Sequence, residues 1–215
     1  MKVKEHLKQF WNFFWHSDSI WSWLLNIVVA FVLIKFVIYP LFGLMLGTGY
    51  PIVAVISESM EHGLSSQQLC GQQFISYKES FNNYWDVCGK WYENKNISST
   101  QFQDFPFKNG FDKGDIILVL GKKPKNIEVG DVLIFQAGKP QPIIHRVIKK
   151  WEQNGVYYFQ TKGDHNSDTI STFLGEHEIN QQRILGTGVI RIPYLGWVKI
   201  LFVQLVSPLG ITITK

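Results

Sequence analysis

The segment PIVAVISESMEHG (residues 51–63) places Ser57, Ser59 and Met60 directly after a β-branched run. A serine hydroxyl becomes a nucleophile only beside a general base and within reach of donors for the oxyanion. Without those partners, serines after a strand are ordinary turn residues. A base is available further along, because His145 lies in PIIHRVIKK, an otherwise apolar, strand-like run. A third group follows in TKGDHNSDT (161–169), where Asp164, His165 and Asp168 come after another such run. A carboxylate that orients an imidazole and stabilises its cation is the member a Ser–His pair needs. Taken singly, each has a plainer reading: a satisfied core histidine, or aspartates serving a turn. Taken together, their order and the strand ends they occupy make a Ser–His–carboxylate combination a stronger reading than any one of them.

The elements that must position these groups read as β. YPIVAVI (50–56), GDIILVL (114–120), GDVLIFQ (130–136), IIHRVIKKW (143–151), VYYFQTKGD (156–164) and GTGVIRI (186–192) are short runs separated by Gly-Asp and Asn154-Gly155 turn signals. Asn154-Gly155 between two runs predicts a tight hairpin. Residues 63–110 differ from both flanks. They are rich in Gln, Asn, Ser and aromatics, hold both cysteines, Cys70 and Cys88, and show no clear period. They are expected to form a loop-rich insertion, and the cysteines could be a disulfide or two thiols according to compartment. Asn96-Ile97-Ser98 is a sequon that matters only outside the cytoplasm.

The N-terminal part is of another kind. Residues 1–19 carry Lys2, Lys4 and Lys8 among Phe and Trp, the composition of an interface-lying lead-in. Residues 20–34 hold no charge, and after Lys35 residues 36–48 are again uncharged. About 20 apolar residues suffice to cross a bilayer, so 20–48 are expected to hold a transmembrane anchor, with Lys35 snorkelling and Pro40 marking a bend or stop. A cleavable leader has a shorter apolar core and a small-x-small site, which does not follow cleanly here. The preceding lysines place the N-terminus in the cytoplasm and the rest outside it. The apolar C-terminal segment, 194–215, is cut by Lys199 and Pro208 and is expected to lie at an interface rather than span.

Composition agrees with this division. Of the 215 residues 46% are hydrophobic and only 18% charged, so part of the chain meets something other than water. The formal net charge of +4 is too small and scattered for nucleic-acid binding, and no zinc spacing or phosphate loop is present. No metal or cofactor is expected.

With these residues in view, the chain resembles the type I signal peptidases, in their archaeal and endoplasmic-reticulum branch. PIVAVISESM, GDIILVL with VGDVLIF, IIHRVI, TKGDHN and GTGVIRIPYLGWVKI carry the likeness, in the family's order, over 50–62 and 111–200. The resemblance implies a mostly-β, signal-peptidase-like catalytic domain (49–62 and 111–193) behind an N-terminal transmembrane helix. It implies Ser59 as nucleophile, Ser57 as a helper of the oxyanion, and His145 as base where bacterial relatives carry lysine. Asp164 matches the Gly-Asp-x-Asn aspartate, and Asp168 is the nearest match to a further aspartate that orients the base, with Asp164 as the alternative. The implied substrates are signal-peptide-bearing preproteins with small residues at the cleavage site. The implied surroundings are a lipid bilayer, in the cell membrane or facing a reticulum lumen, and components of the secretion translocon. Two departures stand out: the motif usually reads Ser-Gly-Ser-Met-x-Pro, and here Glu58 replaces the glycine and His62 the proline. They motivate an alternative, a catalytically impaired relative that binds or assembles in the secretion pathway. A self-cleaving repressor-type protease fits less well, since it is soluble and uses lysine, and Lys149 and Lys150 lie beyond the motif position.

Overall fold

The computed structural model describes residues 2–172 and 174–206, in two compact units that divide between Met45 and Leu46. In the first unit, α1 (Lys2–His16) leads into α2 (Ile20–Leu33), which Ser19 caps by accepting a hydrogen bond from Trp21 N. The Ser22 hydroxyl donates to Phe13 O at 2.5 Å and the Asn26 amide to Phe14 O at 3.1 Å, so α1 folds back on the start of α2.

The long helix does not stop at Pro40. It continues through a π-helical turn (Ile34–Ile38) into α3 (Tyr39–Leu46). The reason is local. Proline lacks an N–H and its ring crowds the carbonyl four residues back, and a wider turn just before it relieves both problems. Ile20–Leu46 thus forms one 27-residue apolar helix, long enough to cross a membrane, with exposed residues such as Phe31, Ile34, Phe36 and Leu44.

The second unit is built on a seven-stranded antiparallel sheet in the order β1-β4-β9-β5-β6-β7-β8. These strands are β1 (Ile52–Ala54), β4 (Ile116–Leu120), β5 (Val132–Phe135), β6 (Ile143–Gln153), β7 (Val156–Lys162), β8 (Ile179–Asn180) and β9 (Ile184–Ile192). The expected β architecture is therefore present, and every strand-like run of the sequence contributes a strand. Asn154 and Gly155, both at positive φ, close the β6–β7 hairpin as their types predict. One core packs Val53, Val55, Met60, Ile117, Val119 and Ile134; a second packs Leu133, Phe135, Val147, Phe159 and Ile179.

The insertion is more ordered than its composition suggests. Between the two-residue strands β2 (Gln68–Leu69) and β3 (Gln72–Gln73) and the return to the sheet stand α4 (Phe81–Glu93) and α5 (Ser99–Gln103). Ser80 caps α4 by accepting from Asn83 N, and Phe81, Tyr84, Trp85, Cys88 and Tyr92 share its inner face. Cys70 and Cys88 form a disulfide. After β9, α6 (Trp197–Val206) exposes Val198, Leu201, Phe202 and Leu205. The remainder of that apolar segment, 207–215, lies outside the described residues.

Candidate active site

β1 carries the serines to the edge of the sheet. Val55 is held on both sides of its peptide by Asp115 O (2.8 Å) and Gly114 N (2.9 Å), after which the chain turns through Ser57–Met60. Met60 anchors that turn: its side chain is buried in the core, and its carbonyl accepts from Phe111 N at 3.1 Å. The half-buried Ser59 is thus fixed between a strand and a buried anchor.

His145 comes from β6 and is 3% exposed. Its Nε2 accepts from the Ser59 hydroxyl at 2.9 Å. Its Nδ1 donates to a carboxylate that the sequence reading did not single out, Glu176. Glu176 is fully buried and accepts two further bonds, from Thr161 Oγ1 at 3.0 Å and from Ile170 N at 2.6 Å. These three donors fix the carboxylate, and the carboxylate fixes the imidazole tautomer that leaves Nε2 free to take a proton. Ser57 Oγ lies 3.1 Å from Ser59 Oγ on the solvent side.

Both nitrogens of His145 are therefore occupied, and neither expected aspartate is among its partners. Asp168 is exposed, accepts from Trp91 Nε1 at 3.1 Å and closes its own turn through Thr169 N. Asp164 is fully buried against Arg146, whose Nη2 and Nε donate to it at 2.7 and 2.9 Å. Burial works against ionising Asp164, but the Arg146 guanidinium and the His62 hydrogen bond outweigh it and hold the carboxyl well below its usual range. His62 Nε2 donates to Asp164 at 3.0 Å, and burial pushes this imidazole down, towards its neutral form. Glu176 lies outside the Gly-Asp box at 164–168, on which the expectation from sequence rests. The signal lay in EHE (176–178) just before β8, at the end of the loop that follows β7.

Gly163 explains the glycine of TKGD. A β-carbon there would lie 2.7 Å from Ser59 O and 2.9 Å from His145 Nε2, so no larger residue fits between the pair and the loop. The loop is also tied to the nucleophile directly, since His165 N donates to Ser59 O at 2.9 Å. Beside these groups opens a cleft of about 300 Å³, lined by apolar residues including Val55, Ile56, Ile144, Ile170 and Leu174. A polar Ser–His pair at the wall of a largely apolar, open cleft is an arrangement that suits an extended stretch of polypeptide.

No protein-family model matches the chain. Curated relatives do. The chain is 33% identical over 95 residues to the signal peptidase complex catalytic subunit SEC11 of Candida tropicalis, covering 42% of this chain and 57% of the relative. It is 35% identical over 95 residues to that of Candida albicans, again covering 42% and 57%, and 29% identical over 98 residues to that of Yarrowia lipolytica, covering 44% and 56%. The chain thus spans little more than half the length of the curated relatives it matches. Over that stretch the chain is similar to signal peptidase complex catalytic subunits.

Proposed function

We propose that the protein is a membrane-anchored serine endopeptidase that removes N-terminal signal peptides from secretory preproteins. The observation that carries the reading is the unbroken chain Ser59–His145–Glu176 at the wall of the apolar cleft. His145 takes the Ser59 proton as the hydroxyl oxygen attacks the scissile carbonyl, and Glu176 stabilises the imidazolium that forms. Ser57 Oγ and the Ser59 N–H hold the oxyanion; one such donor is typically worth about 3 kcal/mol. His145 then protonates the leaving amine, and water, deprotonated by the same imidazole, releases the acyl group. The chemistry needs no cofactor.

Substrate enters as an extended segment along β1, the edge strand, whose outer main chain and Ile52 are open to it. Ile20–Leu46 crosses the bilayer once, with the N-terminus in the cytoplasm and the catalytic unit outside the cytoplasm or in the reticulum lumen. The relatives are named as subunits of a signal peptidase complex, and partner subunits are accordingly expected here, beside the translocon components that deliver preproteins. The rival binding-protein reading draws on Glu58. That carboxylate, however, accepts from Ser65 and pairs with Lys113 at 3.5 Å, which leaves Ser59 to His145. The test is cleavage of a signal-peptide-bearing preprotein by the detergent-purified protein. Ser59→Ala and His145→Ala should each lower kcat by at least about 10⁴-fold. Near-normal cleavage by either variant would sink the mechanism.

A further inference from the structure

Both departures from the family motif, Glu58 and His62, touch the insertion. Ser65 donates to Glu58, and the resulting hydrogen bond holds the Glu58 carboxyl below its usual range. His62 lies flat on Tyr84 of α4, with ring centroids 3.5 Å apart and 1° between planes. A proline at 62 could neither stack in this way nor donate to Asp164. The insertion also reaches the loop that follows β7. Tyr84 Oη donates to Asp164 O at 3.0 Å, Tyr92 Oη donates to Asp164 Oδ1 at 3.0 Å, and Cys70 N donates to His165 O at 2.9 Å. Lys162, buried and pushed down to about 8 by that burial, sits over the Trp91 and Tyr92 rings at 5.0 and 4.9 Å and donates to Gly163 O at 3.0 Å. Phe102 of α5 covers the Arg146 guanidinium at 4.7 Å.

This loop is the one whose His165 N bonds Ser59 O and whose Gly163 lies against His145. Resting on the Ser–His reading above, we propose that the insertion is an intramolecular clamp on the catalytic loop, with Tyr84 and Tyr92 as positioning residues and Cys70–Cys88 as its staple. Cys70 contributes the backbone bond to His165, Cys88 belongs to the inner face of α4, and the disulfide ties these two contacts together. Cleavage then depends on an oxidising compartment. A dithiol reductant that delivers two electrons and two protons converts the bridge to two thiols, becomes a cyclic disulfide itself, and frees the clamp from the loop.

The experiment uses the full chain in detergent, oxidised, then treated with dithiothreitol, then reoxidised. It reads preprotein cleavage together with hydrogen exchange at 162–166 and in β5 and β6. Reduction should lower kcat at least 10-fold with KM changed less than 2-fold, and raise exchange at 162–166 while β5 and β6 stay protected. Reoxidation should restore both. A Cys70→Ser/Cys88→Ser variant should be slow and indifferent to reductant. Tyr84→Phe, which keeps the ring on His62 and loses the hydroxyl contacts with Asp164 O and Tyr92 Oη, should retain more activity than Tyr84→Leu. A reduced protein with unchanged rate and unchanged exchange overturns the clamp. So does reduction that opens β5 and β6 as well, since the insertion would then be core rather than clamp. Should the oxidised wild type cut nothing, the peptidase reading fails by itself, and the exchange pattern still decides the clamp.

Discussion

His145 and His62 each hold a fully buried carboxylate through one ring nitrogen, and they differ in what stands at the other. The second nitrogen of His145 meets a serine hydroxyl beside an open cleft. That of His62, Nδ1, is buried without a hydrogen-bond partner under the Tyr84 ring. The carboxylates differ in the same sense. Glu176 takes hydrogen bonds from neutral donors, Thr161 Oγ1 and Ile170 N, beside His145. The charge of Asp164 is already matched by Arg146. On the proposed mechanism, the two His–carboxylate pairs differ by their neighbours: one opening through a serine onto a cleft supports proton transfer, while one matched by a buried guanidinium locks a fold.

The most direct way to break this contrast is Glu176→Gln. It should lower kcat about 10³–10⁴-fold, some 4–5.5 kcal/mol of barrier, with little change in melting, because the amide disfavours the working tautomer. A variant that cuts normally would remove Glu176 from the mechanism. Arg146→Met should do the reverse and cost about 3–5 kcal/mol in denaturant unfolding, since Asp164 would stay buried without its cation. Acid sharpens the same point. The unfolded chain protonates Asp164 near its ordinary value of about 3.9 and the folded one only at lower pH, so stability should fall as pH drops below about 4. Unfolding midpoints across pH 2–6 check this, and Asp164→Asn should flatten the profile. Ser57→Ala should reduce kcat about 10- to 100-fold and leave KM nearly unchanged, the mark of a group used mainly at the oxyanion. Asp168→Ala should have the smallest effect, under about 1 kcal/mol of stability and within a few-fold in rate, because its exposed carboxylate accepts from Trp91 and closes its own turn rather than meeting His145.

The sequence carried the sheet because strands and turns are local: β-branched runs end at Gly-Asp and Asn-Gly, and those residues bend the chain wherever they stand. It also carried Ser59 and His145, whose surroundings are strands of that kind. Glu176 was hidden because its partner is 31 residues away, and pairing at that range depends on how β7 and its following loop curl back. The insertion was hidden for a different reason. Phe81, Tyr84, Trp85, Cys88 and Tyr92 do follow a helical period, and Ser80 marks its start, yet Asn82, Asn83 and Gly89 among them mask the pattern. Pro40 misled in the opposite direction, since a rule about proline in regular helices does not foresee the wider turn that accommodates it.

The pairing of β1 with β4 has a consequence for the order of assembly. Ile52 meets Leu118 only after the chain has travelled through the whole insertion. For a flexible chain, lengthening a loop from a few residues to about 60 is three to four doublings, or about 2 kcal/mol of closure entropy at about 0.6 per doubling. A prefolded, cross-linked insertion behaves instead as a short connector and removes most of that cost. On the mechanism proposed above, the strand that leads to Ser59 is therefore one whose docking is eased by a cross-linked subdomain lying outside the sheet.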